Sequence, residues 1–564
     1  MGVLYGAFTR RVGLPAPVVA QVRRRRDVPV PLADGVVTLA DHWTPVGVEQ
    51  APLVLIRTPY GRRLFNFLVG RLLAHQGFQV LIQASRGTDR SAGVFDDPFG
   101  CEIADGAATV EWLRQQPFYP GRFFTIGDSY LGYTQLALAE AAGDDLAGAV
   151  LRVAPSSLYD MVWPGGALFL KAVLGWSVMA QRDPRLGLRS LIAEKRRSAA
   201  IDTAGMTGPL SSSYQAVSRG PIAFWDQWLQ HPNNDDGWWD RFELRRALDV
   251  ISCPVLVQGG WYDLFLDDSV SQYQRLAARG VPVELNLGPW THGDMLTKGL
   301  GASMTDAVAF LRDVAGIEPR AAITKPVRLL EIGSKTLLSY DRWPAPAQEC
   351  TLHLGEGGRL SDEVGPPGTV GFLYDPADPT PRVGGASNDA ESGAKDNTAL
   401  ERRADVVTFT SQPLAAELRI LGSPRVALSF ASDRSDTAVF VRLCQVTADG
   451  TSRNITDRLV LLHAAERVDG QWTLEVTLPP TCITLSAGQR LRLQLSSGAY
   501  PRFARHPGTA EPPGIATDFL PASQQVLFGA GTGATVRVPL REAVGAPDGT
   551  RAPINSANEL PGAG

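Results

Sequence analysis

The stretch TIGDSYLG, residues 125–132, closes the apolar run FFTI (123–126) and opens a run with helical spacing that continues to Ala142. Ser129 thus sits at a strand-to-helix corner between Gly127 and Gly132. Such a corner has two readings. It is a tight connection that happens to carry a serine, or it exists to expose the hydroxyl. A nucleophile elbow needs small residues beside its serine, because the serine backbone is held in a strained turn that projects Oγ. The usual spacing puts the second glycine two places after the serine. Here Leu131 occupies that place and Gly132 comes one later, so the motif alone is weak and the surrounding chain has to decide.

Outward from this corner the chain alternates. PLVLIRTPYG (52–61) and FQVLIQASRG (78–87) read as buried strands ending in loops, and CEIADGAATVEWLRQQ (101–116) has apolar residues at helical spacing. A helix over 134–142 and a strand over 149–153 follow. This alternation predicts a mostly parallel sheet with helices on both faces. Residues 156–245 are rich in Trp, Leu, Ala and Arg at helical spacing without clear strands, and read as an inserted helical cap. The alternation resumes with PVLVQGG (254–260), a helix near 269–278 and VPVELNLG (281–288). Beyond about 345, short β-type runs such as RVALSFAS, AVFVRLCQV and QRLRLQLSS, separated by Gly, Pro, Asp and Ser, predict an antiparallel sandwich. Within it, GGASNDAESGAKDN (384–397) reads as a mobile loop. The expected organisation is an α/β core in two parts (1–155 and 246–344), a cap (156–245) and a β-sandwich (345–564).

The composition is that of a globular protein: 44% hydrophobic and 20% charged over 564 residues, with a formal net charge of −4. No basic field invites a nucleic-acid backbone. The five scattered cysteines form no CxxC pair, which argues against a disulfide framework or structural zinc and for reduced thiols in a cytoplasmic protein. The first residues lack an apolar core of the signal-peptide kind, and no window approaches 18 apolar residues, so neither secretion nor a spanning helix is expected. The run Arg23 to Arg26 reads as a solvated face.

A serine nucleophile needs a base, and the base needs an acid to orient it. In hydrolases built on a parallel sheet they follow in the order Ser, Asp or Glu, His. Of the seven histidines (42, 75, 231, 292, 353, 463 and 506), only His292, in NLGPWTHGD, follows a sheet strand after the insertion. Asp263, in QGGWYDLF, stands just past the preceding strand. Singly, His292 reads as a loop histidine and Asp263 as a turn or cap residue. Together with Ser129 they occupy strand ends in the required order. Asp267 and Asp268 compete for the acid role but read as first-turn residues of the next helix. For a developing oxyanion, the backbone N–H of Tyr130 is one candidate donor. The phenol of Tyr60 in RTPYG is another, against the reading of a packed loop tyrosine.

These stretches, with SRGTDRSAGVF, WPGGALFLKAVLGW, HPNNDDGWW, LYDPADPTPRVGG and SFASDRSDTAVFVRLCQV, resemble the CocE/NonD serine hydrolases of peptidase family S15 over residues 30 to 500. The resemblance implies an α/β-hydrolase core, a helical cap and a C-terminal jelly roll. It makes Ser129 the nucleophile, His292 the general base and Asp263 the orienting acid, with the Tyr60 hydroxyl and Tyr130 N–H as oxyanion hole. The family's G-x-S-Y-x-G turn accounts for the late Gly132. Its aromatic acyl pocket maps onto Trp176 and Phe265, and less directly onto Trp163, where this chain is shorter. Without the family, a cap tryptophan reads as core packing. The chain departs from the family at Ala84, which replaces an acidic residue, at Leu264, which replaces a glycine, and at Asp128, which places a charge beside the serine.

The expected function is hydrolysis of carboxylic esters, and of activated amides, of small acyl compounds, with neither metal nor cofactor. Acyl transfer or X-Pro and α-amino-acyl peptidase-type activity on the same triad is the alternative. A non-catalytic ligand-binding protein is a further one. The expected partner is a small molecule, not nucleic acid or membrane; oligomeric state is open, a homo-oligomer included.

Overall fold

The computed structural model describes residues 13–541, except 64, 181–189, 219, 322, 335, 345–347 and 513, together with residues 6, 9 and 10. The expected junction at 345, and the outermost residues of the first and last units, lie outside the described residues.

The first unit is a ten-stranded sheet. Its strands are β1 (Val22–Pro31), β2 (Val37–Pro45), β3 (Leu53–Thr58), β4 (Gln79–Ala84), β5 (Phe123–Asp128), β6 (Leu146–Arg152), β7 (Val255–Tyr262), β8 (Val283–Thr291), β9 (Val327–Leu330) and β10 (Leu337–Tyr340). They lie in the order β1-β2-β4-β3-β5-β6-β7-β8-β9-β10. From β4 through β9 all neighbours are parallel, while β1, β2 and β10 pair antiparallel. Every residue of β3, β4 and β7 is buried, as the near-continuous apolar runs of a parallel sheet covered on both faces require. The arginine run belongs to the edge strand β1. Arg23, Arg25 and Arg26 are exposed there, and Arg24 donates to Asp41 of β2 (Nε–Oδ2 2.9 Å). Charge on an edge strand also discourages pairing with another chain.

Between β6 and β7 the chain leaves the sheet to build the helical cap, including Leu170–Ala180, Ser190–Met206 and Ala223–Gln230. Its interior is aromatic: Trp163, Trp225 and Trp228 are fully buried. The C-terminal unit, from Gln348–Gly355 to Thr535–Arg541, is a 13-stranded, mostly antiparallel sheet folded as the jelly-roll sandwich. Its strand Thr437–Val446 is buried along nearly its whole length.

One expectation fails here. Residues 384–397 are not a free loop. Gly385 and Gly393 exchange both backbone hydrogen bonds at 2.9 Å, Arg382 grips Asp389 (2.9 and 2.6 Å), and Asn397 is buried against Asn454. The small polar side chains that read as solvent-loving are used on internal hydrogen bonds instead.

The three units are bound to one another. Tyr262 of β7 donates to the carbonyl of Asn454 at 3.3 Å, and the Ala504 N–H donates to Leu168 of the cap at 2.9 Å. Gly165 of the cap, at φ 65, approaches so closely that a Cβ there would lie 2.3 Å from the Leu459 carbonyl oxygen. No helix among the described residues is long and apolar enough to cross a membrane.

Candidate active site

Ser129 follows β5 at φ 57 and ψ −122 and caps the helix Tyr130–Ala142. A non-glycine residue at positive φ is costly and persists only where its surroundings force it. Here the Ser129 N–H donates to the Arg152 carbonyl at 2.9 Å, and its own carbonyl accepts from Gly132 (2.8 Å) and Tyr133 (3.1 Å). Both glycines of the motif are explained by close approach. A Cβ on Gly127 would lie 2.5 Å from that of Leu131, and one on Gly132 would lie 2.2 Å from that of Ala154. The second glycine comes late because the first helical turn rests directly on the chain leaving β6.

Asp263 lies just past β7, 2% exposed, and His292 just past β8. The strands β5, β7 and β8 run parallel, so all three residues emerge at one edge of the sheet. His292 Nδ1 stands 2.6 Å from Asp263 Oδ2, while Oδ1 accepts the Phe265 N–H at 2.7 Å. An ionised carboxylate only accepts, so Nδ1 carries the imidazole proton and Nε2 is left as the basic nitrogen. Burial alone pulls the His292 pKa down. The charge and hydrogen bond of Asp263, with the charge of Asp128, outweigh it and hold the pKa above the ordinary histidine value.

Ser129 and His292 line one cavity of ≈ 500 Å³, together with Asp128, Tyr60, Trp176 and Phe265. Asp128 forms an ion pair with Arg152 (Oδ1–Nε 2.8 Å), a fully buried arginine whose Nη2 also donates to Ser303 Oγ at 3.0 Å. Burial still raises the Asp128 pKa, against the pull of Arg152. Val153, the next residue after Arg152, sits at φ 40 on the cavity wall. That is a strained position for a β-branched side chain.

Tyr60 follows β3, and its hydroxyl accepts the Trp176 Nε1–H at 3.0 Å. Neighbouring atoms that keep water from that hydroxyl raise its pKa, although the Tyr60 side chain as a whole is partly exposed. The Tyr130 backbone N–H opens the helix and has no intrahelical partner by position. The Tyr130 phenol donates to Glu102 Oε1 (2.8 Å) and accepts the Phe99 N–H (3.1 Å). Glu102 also accepts from Ser85 Oγ (3.0 Å) and pairs with Arg57 (2.7 Å), both sides buried. A closed polar network thus fixes the residue after the serine.

The Phe265 ring meets the His292 ring edge-on at 5.4 Å. Trp176 stacks on Tyr130 at 5.9 Å. Trp163 is not part of the cavity. It is fully buried, and its indole donates to the Trp228 carbonyl at 3.2 Å, so core packing is its place. Neither competing acid reaches His292: Asp267 pairs with Arg458 of the sandwich, and Asp268 accepts the Ser156 N–H at 3.0 Å. Among the cavity residues that the sequence did not single out are Phe99, tilted against Trp176 at 5.2 Å, and Asn388 of the sandwich segment 384–397. Among the described residues no cluster of His, Cys, Asp or Glu is placed to hold a metal ion.

Residues 34–294 match the model of the X-Pro dipeptidyl-peptidase (S15) family, and residues 320–536 match that of the X-Pro dipeptidyl-peptidase C-terminal non-catalytic domain. The chain thus carries an S15 peptidase domain followed by the C-terminal domain that accompanies it. This S15 chain is an enzyme of the serine hydrolase class. It is 27% identical over 538 residues to cocaine esterase of Rhodococcus sp. (strain MB1 Bresler), spanning 86% of this chain and 92% of that one. In fold it is similar to an α-amino acid ester hydrolase (TM-score 0.78, 20% identity, 94% and 98% of the two chains). It is similar also to a CocE/NonD family hydrolase from Staphylococcus aureus (TM-score 0.69, 15% identity, 93% and 94%).

Proposed function

We propose that this S15 hydrolase cleaves carboxylic esters of small acyl compounds through an acyl-enzyme on Ser129. The observation that carries the reading is the meeting, in one cavity, of a serine held at positive φ and a histidine whose far nitrogen is held by Asp263. In the proposed reaction His292 Nε2 takes the Ser129 proton as Oγ attacks the ester carbonyl. Asp263 holds the ring and stabilises the imidazolium. The oxyanion lies between the Tyr60 hydroxyl and the Tyr130 N–H. His292 then protonates the departing alcohol, and a water activated by the same nitrogen releases the acid. No step calls for a metal or cofactor.

Apolar and aromatic walls, with few polar groups, suit an uncharged acyl group. The similarity to cocaine esterase supports esters as the substrate class. Recognition of a substrate ammonium would need a free carboxylate, and Asp128 in this cavity is already committed to Arg152. The proposed partner is therefore a small ester or amide, and the proposed compartment the cytoplasm, in keeping with five unpaired thiols.

The test is a panel of acyl p-nitrophenyl esters on wild type and Ser129→Ala, with fluorophosphonate labelling. Wild type is expected to turn over and label at Ser129. Ser129→Ala is expected to lose at least about 10⁴-fold in kcat. An unlabelled wild type would sink the acyl-enzyme reading. Adding an amine or alcohol and measuring product partition separates hydrolysis from acyl transfer.

A further inference from the structure

Trp176 touches the Tyr60 hydroxyl of the proposed oxyanion hole and packs on the ring of Tyr130, whose backbone N–H is the other donor. It stands on the cap helix Leu170–Ala180, while Tyr60 and Tyr130 belong to the core. Its indole N–H donates to the Tyr60 oxygen at 3.0 Å, and its ring lies nearly parallel to that of Tyr130, 15° apart at 5.9 Å. Tyr60 and Tyr130 meet edge to face at 6.3 Å. Trp176 is itself wedged between Phe99 (5.2 Å), Phe224 (6.0 Å) and Trp228 (6.2 Å). The indole therefore cannot swing away without moving the cap.

An indole nitrogen only donates, whereas a phenol has one proton and accepts through its lone pairs. The bond therefore has a fixed sense: Tyr60 accepts from the cap. Its own proton goes elsewhere, and among the described residues no hydrogen bond uses it. The hydroxyl lines the cavity that contains Ser129. A hydroxyl that accepts a hydrogen bond is polarised into a stronger donor.

We propose that Trp176 is a positioning residue of the oxyanion hole: its N–H orients the Tyr60 O–H toward the ester oxygen, so the seating of the cap on the core sets the rate of acylation. This rests on the reading of Ser129 as the acylated nucleophile. It gives Trp176 a part distinct from that of a pocket wall, which would act on substrate affinity alone.

A double-mutant cycle on p-nitrophenyl acetate, whose acyl group is too small to need an aromatic wall, tests the assignment. Trp176→Phe keeps a ring and removes the donor. It is expected to lower kcat about tenfold, the worth of one hydrogen bond, with KM changed less than about twofold. Tyr60→Phe is expected to cost about 10²–10³-fold. The double variant should be no slower than Tyr60→Phe, because the indole then has nothing to orient. Replacing Trp176 by its benzothiophene analogue, which swaps N–H for sulfur in the same shape, should reproduce the Phe result if packing is not the cause. Multiplied losses in the double variant, or a loss confined to KM, would overturn the positioning role while Ser129 still labels with fluorophosphonate. Failure of wild type to label overturns the nucleophile reading and this one with it.

Discussion

Beside Ser129, Asp128 and Arg152 form a charge pair at the cavity wall, and the Asp128 carboxylate adds to the field that raises the His292 pKa. In the proposed reaction His292 must be neutral to take a proton, so activity is expected to rise as pH passes upward through its pKa. That acid limb lies above the ordinary histidine value. In Asp128→Asn one of the two negative charges facing the ring is gone while Arg152 Nε keeps an acceptor. The limb is expected to move to lower pH in a kcat/KM profile, with the high-pH plateau little changed. An unmoved limb would mean that Arg152 already cancels the Asp128 charge at the ring. That Ser129, Asp263 and His292 stand at strand ends is legible in the sequence, because histidine is scarce and strand ends are readable from apolar runs. The Trp176–Tyr60 bond is not. It joins residues 116 apart through a cap whose packing no local pattern encodes.

The corner of β5 and the helix Tyr130–Ala142 is a unit held by close contacts, the tightest of them Gly132 against Ala154. Gly132→Ala places a methyl within 2.2 Å of the Ala154 Cβ and is expected to cost about 1–3 kcal/mol by overpacking, read as a drop in Tm. The pair Gly132→Ala with Ala154→Gly should recover much of that loss and the activity with it. If it does not, the contact is not what requires the glycine. Alternation of strand and helix revealed the core, and dense short β runs revealed the sandwich, since both depend on local periodicity. Residues 384–397 were misread for the opposite reason. Polar composition predicts exposure, but Arg382, Asp389, Asn397 and Asn454 satisfy one another within the fold. Likeness alone points Trp163 to the pocket, and the packing that buries it against Trp228 in the cap interior is not encoded in any local pattern.

At the scale of the molecule, core, cap and sandwich share one cavity, and the sandwich is braced by buried charge beneath it. Asp457 lies between Arg442 (2.9 Å) and Arg502, all three buried. Burial pushes its carboxyl up, and the two guanidinium groups more than reverse this, leaving its pKa below the usual carboxylate value. Asp457→Asn strands two buried cations and is expected to cost about 3–5 kcal/mol. A carboxylate with a depressed folded pKa stabilises above its unfolded pKa and loses that contribution as pH falls through the folded one. The Tm gap between wild type and Asp457→Asn should therefore narrow in acid; a constant gap would assign the loss to packing. The same three-part construction has a meaning for a chain being made. Ser129, Asp263 and His292 leave the ribosome before Asn388, which lines the same cavity from the last third of the sequence. The cavity around Ser129 is therefore complete only once the sandwich has been made.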